Sequence, residues 1–225
     1  MATEMDCFRI VELYRTTPTY YPELMTKLIL ASQSPARVKI LQDAGFEPVV
    51  HPSTIDEDAV LKGTDASDPE QYVTTLAEAK AMDVAKEIST QKSLVLGADS
   101  ALSFEGEILG KPKLAEVAIK RWKQMRGKQG ILFTGQTLVD TKTKKFVTAQ
   151  SGTKVWFSNA SDQQIQRYVD SGEPLNVAGA FTIDSLGGAF IDRIEGDYHA
   201  VVGLSLRLLR EMMAELGYEY TDFWK

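Results

Sequence analysis

Leu28-Ile29-Leu30-Ala31-Ser32-Gln33-Ser34-Pro35-Ala36-Arg37 is the stretch on which the fold of this chain turns. Four consecutive apolar residues bounded by a polar turn read as a buried strand. Ser34 followed by Pro35 reads as an N-cap with proline at the first helical position. The helix then runs through Val38, Ile40, Leu41 and Ala44 to Gly45. Its free amides and positive dipole end favour an anion beyond the strand tip, and Arg37 offers a bidentate grip on phosphate or carboxylate oxygens. The same residues also fit a plain strand-to-helix turn whose serines cap backbone groups, and from this stretch alone both readings stand.

Outward from this unit, strand and helix patterns alternate from Lys27 onward, which predicts an α/β layer architecture. Glu47 to His51 reads as a short strand and Ile55-Asp56-Glu57-Asp58 as an acidic loop. Asp68 before Pro69 repeats the cap-then-proline start, opening a helix through Tyr72, Val73, Leu76, Ala79, Lys80, Val84 and Ile88 with one apolar stripe. Ser93-Leu94-Val95-Leu96-Gly97-Ala98-Asp99 reads as a second buried strand ending in a carboxylate. Glu105-Gly106 turns the chain towards Ile108-Leu109-Gly110-Lys111-Pro112, and Ala115 to Met125 reads as a helix. Ile131 to Val139 and Lys145 to Phe157 read as a hairpin closed by Asp140-Thr141-Lys142-Thr143-Lys144. Ser161 caps a helix ending near Gly172. The glycine-rich stretch Gly179 to Gly188 leads to a strand around Phe190 to Ile194, and Ser205 opens the last helix.

Residues 1–26 differ from the rest, being rich in Thr, Tyr and Pro without a sustained period, and read as an appended segment before a single domain over 27–225. Met25 is then an alternative start, which N-terminal mass spectrometry of the native protein would decide. At 225 residues the chain can bury a core without disulfides or metal clips. The lone Cys7, with no apolar signal core and no apolar run of bilayer length, predicts a reducing, cytoplasmic setting and no membrane partner. A formal charge of −6 argues against a nucleic-acid polymer as partner, so any bound phosphate must be met by a local gathering of Lys and Arg. With only His51, His199 and one cysteine, the composition argues against a His/Cys zinc site, whereas the plentiful carboxylates suit a hard divalent ion.

Several residues could carry chemistry. Asp99, at a strand end, is placed where an α/β sheet aims functional groups into a crevice, although such an aspartate also serves as a plain cap. Glu57 could join it there, the pair holding a divalent cation or one of them taking a proton from water; on spacing alone, a solvated loop acid is the ordinary outcome for Glu57. Lys111 is fixed between a glycine that admits close approach and a proline that stiffens the loop. Lys80 stands in the Ala-rich run Ala77-Glu78-Ala79-Lys80-Ala81, where a solvated helix residue is the ordinary outcome. His199 reads as a structural, hydrogen-bonding histidine.

In order along the chain, Leu30-Ala31-Ser32-Gln33-Ser34-Pro35-Ala36-Arg37, Gly97-Ala98-Asp99-Ser100, Leu109-Gly110-Lys111-Pro112, Ser171-Gly172-Glu173-Pro174, Ala178-Gly179-Ala180-Phe181 and Val201-Val202-Gly203-Leu204 resemble the Maf family from about Lys27 to Leu216. The resemblance implies an elongated, two-lobed mixed α/β fold akin to that of the inosine triphosphatases, with the active-site cleft between the lobes. It also implies a nucleoside triphosphate pyrophosphatase that splits the α–β phosphoanhydride of non-standard nucleotides, needs a divalent metal (Mg²⁺ or Mn²⁺) and forms a homodimer. Some such proteins are linked to arrest of cell division. Carried over residue by residue, Asp99 matches the catalytic aspartate, Ser32, Ser34 and Arg37 the phosphate-binding hydroxyls and arginine, and Glu57 the acidic-loop glutamate. Asp99 and Glu57 are the implied metal ligands, and Lys80 and Lys111 match two lysines near the phosphates.

The chain departs from the family pattern at Ala36, where a second arginine is usual, at Asn176-Val177, usually Asp-Lys, and at Gly130, often histidine. Two cations are thus missing, and each lost charge-assisted phosphate contact costs about 1.5–3 kcal/mol. Weaker affinity, an altered substrate, or compensation by Lys39 or Lys113 would follow. Asp184 stands where relatives preferring thymidine and uridine triphosphates often have glutamine, and resembles the glutamate of a branch favouring methylated guanosine triphosphate. A carboxylate only accepts where an amide also donates, so Asp184 would change the base edge that is read. A nucleotide-binding regulator with little turnover, and a nucleotidyltransferase-like enzyme, are the competing readings.

Overall fold

The computed structural model describes residues 26–65, 67–88 and 92–225; apart from Thr26, the segment read as appended, with Met25 in it, lies outside these. The strands are β1 (Lys27–Leu30), β2 (Val49–Val50), β3 (Ser93–Phe104), β4 (Glu107–Leu109), β5 (Gln129–Asp140), β6 (Phe146–Phe157) and β7 (Ile191–Glu195). The helices are α1 (Pro35–Asp43), α2 (Glu57–Val60), α3 (Pro69–Glu87), α4 (Ala115–Met125), α5 (Asp162–Asp170), α6 (Tyr198–Val202) and α7 (Leu206–Glu215). This is the predicted mixed α/β architecture. The strands form one sheet in the order β2-β1-β3-β5-β6-β7, with β4 beside the far end of β3. β1 runs parallel to β2 and β3, and the other pairs are antiparallel.

The pairing leaves a gap in the sheet. On one side β5 accompanies β3 continuously from Leu94 to Ser103. On the other, β1 reaches only to the Leu30–Leu96 pair and β4 begins only at Leu102–Leu109. Among the described residues, no strand pairs with Gly97–Ala101 on that edge. The turn after β1 fills it, with the Ala31 amide donating to the Leu96 carbonyl at 2.8 Å.

Alternation along β3 sorts its side chains to two faces. Val95 packs with Ala81, Val84 and Ala85, and Ala101 with Val73, so α3 covers this face. Gly97 and Gly135 let the helix come down onto the sheet backbone: a Cβ on Gly97 would lie 2.2 Å from the Ala77 carbonyl, and one on Gly135 2.5 Å from that of Val73. The opposite face carries two apolar cores on the same long strands. Leu94, Leu96 and Leu138 pack with Leu41, Leu209 and Met213 of α1 and α7. Leu102, Leu132 and Val155 pack with Trp122 of α4 and Ile165 and Tyr168 of α5. Between them lie Thr134 and Gln136, polar and fully buried. A buried polar group must be paired; Thr134 donates to the Ala200 carbonyl at 2.8 Å and Gln136 to that of Ser205 at 3.2 Å, tying the midline to α6 and α7.

The hairpin forms as read, its turn held by Asp140, which accepts from the amides of Lys142 and Thr143. Ser161 caps α5 with Gln164 bonding back to its amide. Three elements differ: part of the acidic loop with Glu57 is the helix α2, α6 is not among the predicted elements, and β3 does not stop at Asp99 but continues to Phe104. Ser100 and Ser103 look like turn residues in the sequence, but pairing with Thr134 and Ile131 of β5 keeps them extended. The short α2 and α6 show no period; each is set by an aspartate cap, Asp56 to the Ala59 amide and Asp197 to that of Ala200.

Candidate active site

The turn after β1 is built around Ser32 and Arg37. Ser34 occupies the N-cap position of α1, but its side chain makes no capping bond; its amide donates to Ser32 Oγ at 3.2 Å. Arg37 is 9% exposed. Its Nε donates to the Gly203 carbonyl (2.8 Å), Nη1 to Ser32 Oγ (3.0 Å) and to the Ala98 carbonyl (2.9 Å), and Nη2 to Ser100 Oγ (3.2 Å). A guanidinium has five N–H groups, so all but one are committed to the protein. Burial disfavours its charged form, and the fields of Asp99 and Glu57 work against that loss. Arg37 therefore knits β1, β3 and the α6–α7 junction together at the gap.

On the α3 side of the same gap, three charged groups converge. Lys80 Nζ lies 2.6 Å from Glu57 Oε1 and donates to Asp99 Oδ1 at 2.6 Å. The Lys80 and Asp99 side chains are 13% and 15% exposed and that of Glu57 51%. Each arrives from a different element: Glu57 from the first turn of α2, Asp99 from β3 beside Gly97, and Lys80 from α3 one turn beyond the Ala77 carbonyl that Gly97 admits.

The carboxylates of Glu57 and Asp99 can take a hard cation. Both oxygens touch one nitrogen, so they are no more than twice 2.6 Å apart. Bonds of about 2.0–2.1 Å to magnesium would set the two oxygens about 3–4 Å apart, a closure of no more than about 2 Å. Among the described residues no group of three or more His, Cys, Asp or Glu gathers. Two carboxylates with the remaining positions left to water and phosphate is how magnesium is ordinarily held beside a nucleotide.

Lys111 is exposed, and its side chain makes no hydrogen bond or ion pair among the described residues. Its loop is pinned instead: the Gly110 carbonyl accepts from Arg121 at 2.6 Å and from the Gly179 amide at 3.3 Å, and the Lys113 amide donates to Leu175 at 2.9 Å. That last bond sets Lys113 beside the segment carrying Asn176-Val177, whereas Lys39 is paired with Asp43 at 2.8 Å. Gly130 is buried against Leu102 and the Ser103 carbonyl. Asp184 lines a separate cavity of about 340 Å³ with Ala36, Lys39, Asp43, Tyr198 and His199. His199 is not the hydrogen-bonded histidine expected: its ring is exposed, meets the Tyr198 ring edge-on, and bonds to no side chain among the described residues.

Two groups escaped the sequence reading. Ser100, placed by strand alternation on the Arg37 face, bridges Arg37 and Thr134 Oγ1, the latter at 2.8 Å. Glu173 is a hub: its carboxylate accepts from Tyr168 Oη (3.0 Å), Thr182 Oγ1, and the amides of Gly187 (2.9 Å) and Leu186 (3.2 Å). Alternation past Asp99 signals the first; nothing local signals the second, whose partners are up to 14 residues away.

Comparison with known proteins gives the family of the chain. A nucleoside triphosphate pyrophosphatase of Corynebacterium glutamicum is 47% identical over 198 residues, 88% of this chain and 98% of its own. One of Synechococcus is 49% identical over 201 residues, 89% of this chain and 100% of its own. A nucleoside-triphosphatase (dITP/XTP pyrophosphatase) structure from Mycobacterium abscessus shares 15% identity, covering 60% of this chain and 76% of that one, with a TM-score of 0.39. The family model described as Maf-like protein matches residues 27–216, a span that includes every charged group gathered at the gap in the sheet, and the chain belongs to that family.

Proposed function

We propose that this chain hydrolyses the α–β phosphoanhydride of nucleoside triphosphates, releasing a nucleoside monophosphate and pyrophosphate. The observation that carries the reading is the Glu57–Lys80–Asp99 cluster in the gap beside β3, with the hydroxyl turn and amide end of α1 on the same edge. Relatives nearly half identical bear the name of that activity. In this reading Asp99 accepts a proton from the attacking water as its oxygen bonds to the α-phosphorus, and the bond to the bridging oxygen breaks to free pyrophosphate. Lys80 and Lys111 offset the charge of the triphosphate, Ser32 and Ser34 donate to its oxygens, and Arg37 holds the turn that carries the two serines and lends its remaining N–H. Glu57 and Asp99 would hold a magnesium or manganese ion, which when bound compensates the phosphate charge.

Asp184 and the cavity beside it would receive the base. Because a carboxylate accepts only, the base edge it reads carries an N–H donor, as thymine, uracil and modified guanines do. The reading further takes the protein as a cytoplasmic homodimer acting on small nucleotides, with neither a nucleic-acid polymer nor a membrane as partner, in keeping with a net charge of −6.

The test is incubation with magnesium or manganese and a panel of standard and modified triphosphates, with product analysis. Monophosphate plus pyrophosphate from at least one substrate, lost in Asp99→Asn, is the expected result; no such products, or full activity in Asp99→Asn, would sink the reading. A second reading, a nucleotide-binding regulator with little turnover, draws on one observation: Arg37 is spent on protein acceptors while Ala36 adds no cation. Tight nucleotide binding without product would select it.

A further inference from the structure

Lys80 occupies the position between Glu57 and Asp99 that a shared cation would need. Its ammonium is 2.6 Å from an oxygen of each, and its side chain is 13% exposed. No backbone amide or hydroxyl among the described residues donates to either carboxylate side chain, so this one ammonium supplies their nearest compensation. Glu173, by contrast, draws on two amides and two hydroxyls. A like-charged pair at this spacing repels unless a cation bridges it. A lysine is suited to be that cation and to leave again, because its charge sits on a flexible four-carbon stem.

We infer that Lys80 is a resident counter-cation that competes with the divalent metal for Glu57 and Asp99. In the free protein the ammonium holds the carboxylates together and keeps a bare metal ion out. A metal that arrives with a triphosphate takes the carboxylates and at the same time brings the phosphate charge to which the released ammonium turns. Metal and nucleotide therefore bind each more tightly in the presence of the other, and Lys80 is the group through which the coupling acts. The inference rests on the reading of Glu57 and Asp99 as metal ligands.

The test is manganese binding without nucleotide, followed by calorimetry and by the electron paramagnetic resonance of free Mn²⁺. Lys80→Gln and Lys80→Met are expected to bind Mn²⁺ roughly tenfold or more tighter than the unmodified protein, as loss of a charge-assisted bond predicts. Their thermal midpoints should also rise further on adding Mn²⁺. Lys80→Arg, which keeps a cation, should bind as the unmodified protein does. Lys86→Gln, which removes an exposed charge from the last turn of the same helix, should change nothing. Equal or weaker binding in Lys80→Gln and Lys80→Met, or an equal gain in Lys86→Gln, overturns the inference. So does a Lys80 variant that is unfolded and that Mn²⁺ fails to refold, because the uncompensated pair is the site the metal is to take. Since no nucleotide is present, tighter Mn²⁺ binding together with no hydrolysis of any triphosphate would refute the pyrophosphatase reading alone; an active enzyme with unchanged Mn²⁺ binding would refute this inference alone.

Discussion

Asp99 and Glu173 are both partly buried carboxylates in Maf motifs, and they are solvated by the protein in opposite ways. Glu173 is surrounded by fixed donors: the Tyr168 hydroxyl at the end of α5, the Thr182 hydroxyl and the amides of Leu186 and Gly187. Gly187 makes this possible, since a Cβ there would lie 2.4 Å from Tyr168 Oη. The Asp99 side chain has, among the described residues, a single movable ammonium. A carboxylate whose lone pairs are all met by rigid neutral groups cannot exchange partners without breaking the fold around it. One that is balanced by a flexible cation can pass to water, metal or phosphate while the backbone stays still. The first arrangement gives structure and the second leaves chemistry available.

The largest effect separating the two belongs to Asp99. Replacing Asp99 by Asn should lower kcat/KM for pyrophosphate release by about 10²–10⁴, the usual contribution of a positioned general base, while circular dichroism stays that of the parent. The same change at Glu173 should leave kcat far closer to the parent. If Glu173→Gln cost as much activity at unchanged stability, the division between the two carboxylates would be broken.

Next comes Gly97→Ala. Its Cβ would meet the Ala77 carbonyl and Ala81 amide, both backbone, so the α3–β3 contact must open. Overpacking of this kind costs about 1–3 kcal/mol, read from chemical denaturation. Because α3 carries Lys80, activity should fall along with stability.

Glu173→Ala should cost about 1–3 kcal/mol by stranding its donors, with the loss again seen in denaturation midpoints. Burial pushes the Glu173 carboxyl up, but the Thr182 hydroxyl and the Gly187 and Leu186 amides outweigh it and leave it below the usual range. Asp140 follows the same pattern, burial being outweighed by Thr143, the Lys142 amide and Tyr218. A carboxyl lowered in the folded state contributes stability that is fully present above its unfolded pKa and is lost as pH falls through the folded value. Unfolding free energy should hold between about pH 7 and 5 and decline below about pH 4, and Glu173→Gln should flatten part of that decline. The smallest effect is expected at the exposed Lys39–Asp43 pair: Lys39→Ala should shift stability by no more than about 0.5 kcal/mol.

Much of this was legible in the chain. Helix α4 has the bounds that its pattern predicts, the caps at Asp68 and Ser161 act as read, and the long hairpin closes where its polar turn lies. Local signals of this sort depend on neighbours a few residues apart. Asp99 was singled out by its strand-end position and Glu57 as a second carboxylate for the same crevice, yet alone each had an ordinary explanation, and the arrival of Lys80 between them was not readable from spacing. The role of Arg37 was read from its residue type as a phosphate grip; its partners at Ala98, Ser100 and Gly203 lie 61, 63 and 166 residues away. Lys111 was named as a lysine near the phosphates and Asp184 as a reader of the base edge; Asp184 lines the cavity beside α1 in the fold, and Lys111 is exposed on its pinned loop.

By itself, then, the sequence determined the alternation of elements, the family, and which side chains carry charge and hydroxyls, because periodicity, caps and turn chemistry are properties of short stretches. Only the tertiary structure decided that β1 stops and β4 starts on one edge of β3, leaving the gap. It also decided that α3 rests on Gly97 and so delivers Lys80 between two carboxylates, and that Arg37 turns inward. Those outcomes depend on strand register and on the missing volume of a glycine beneath a helix, and neither exists until distant segments pack.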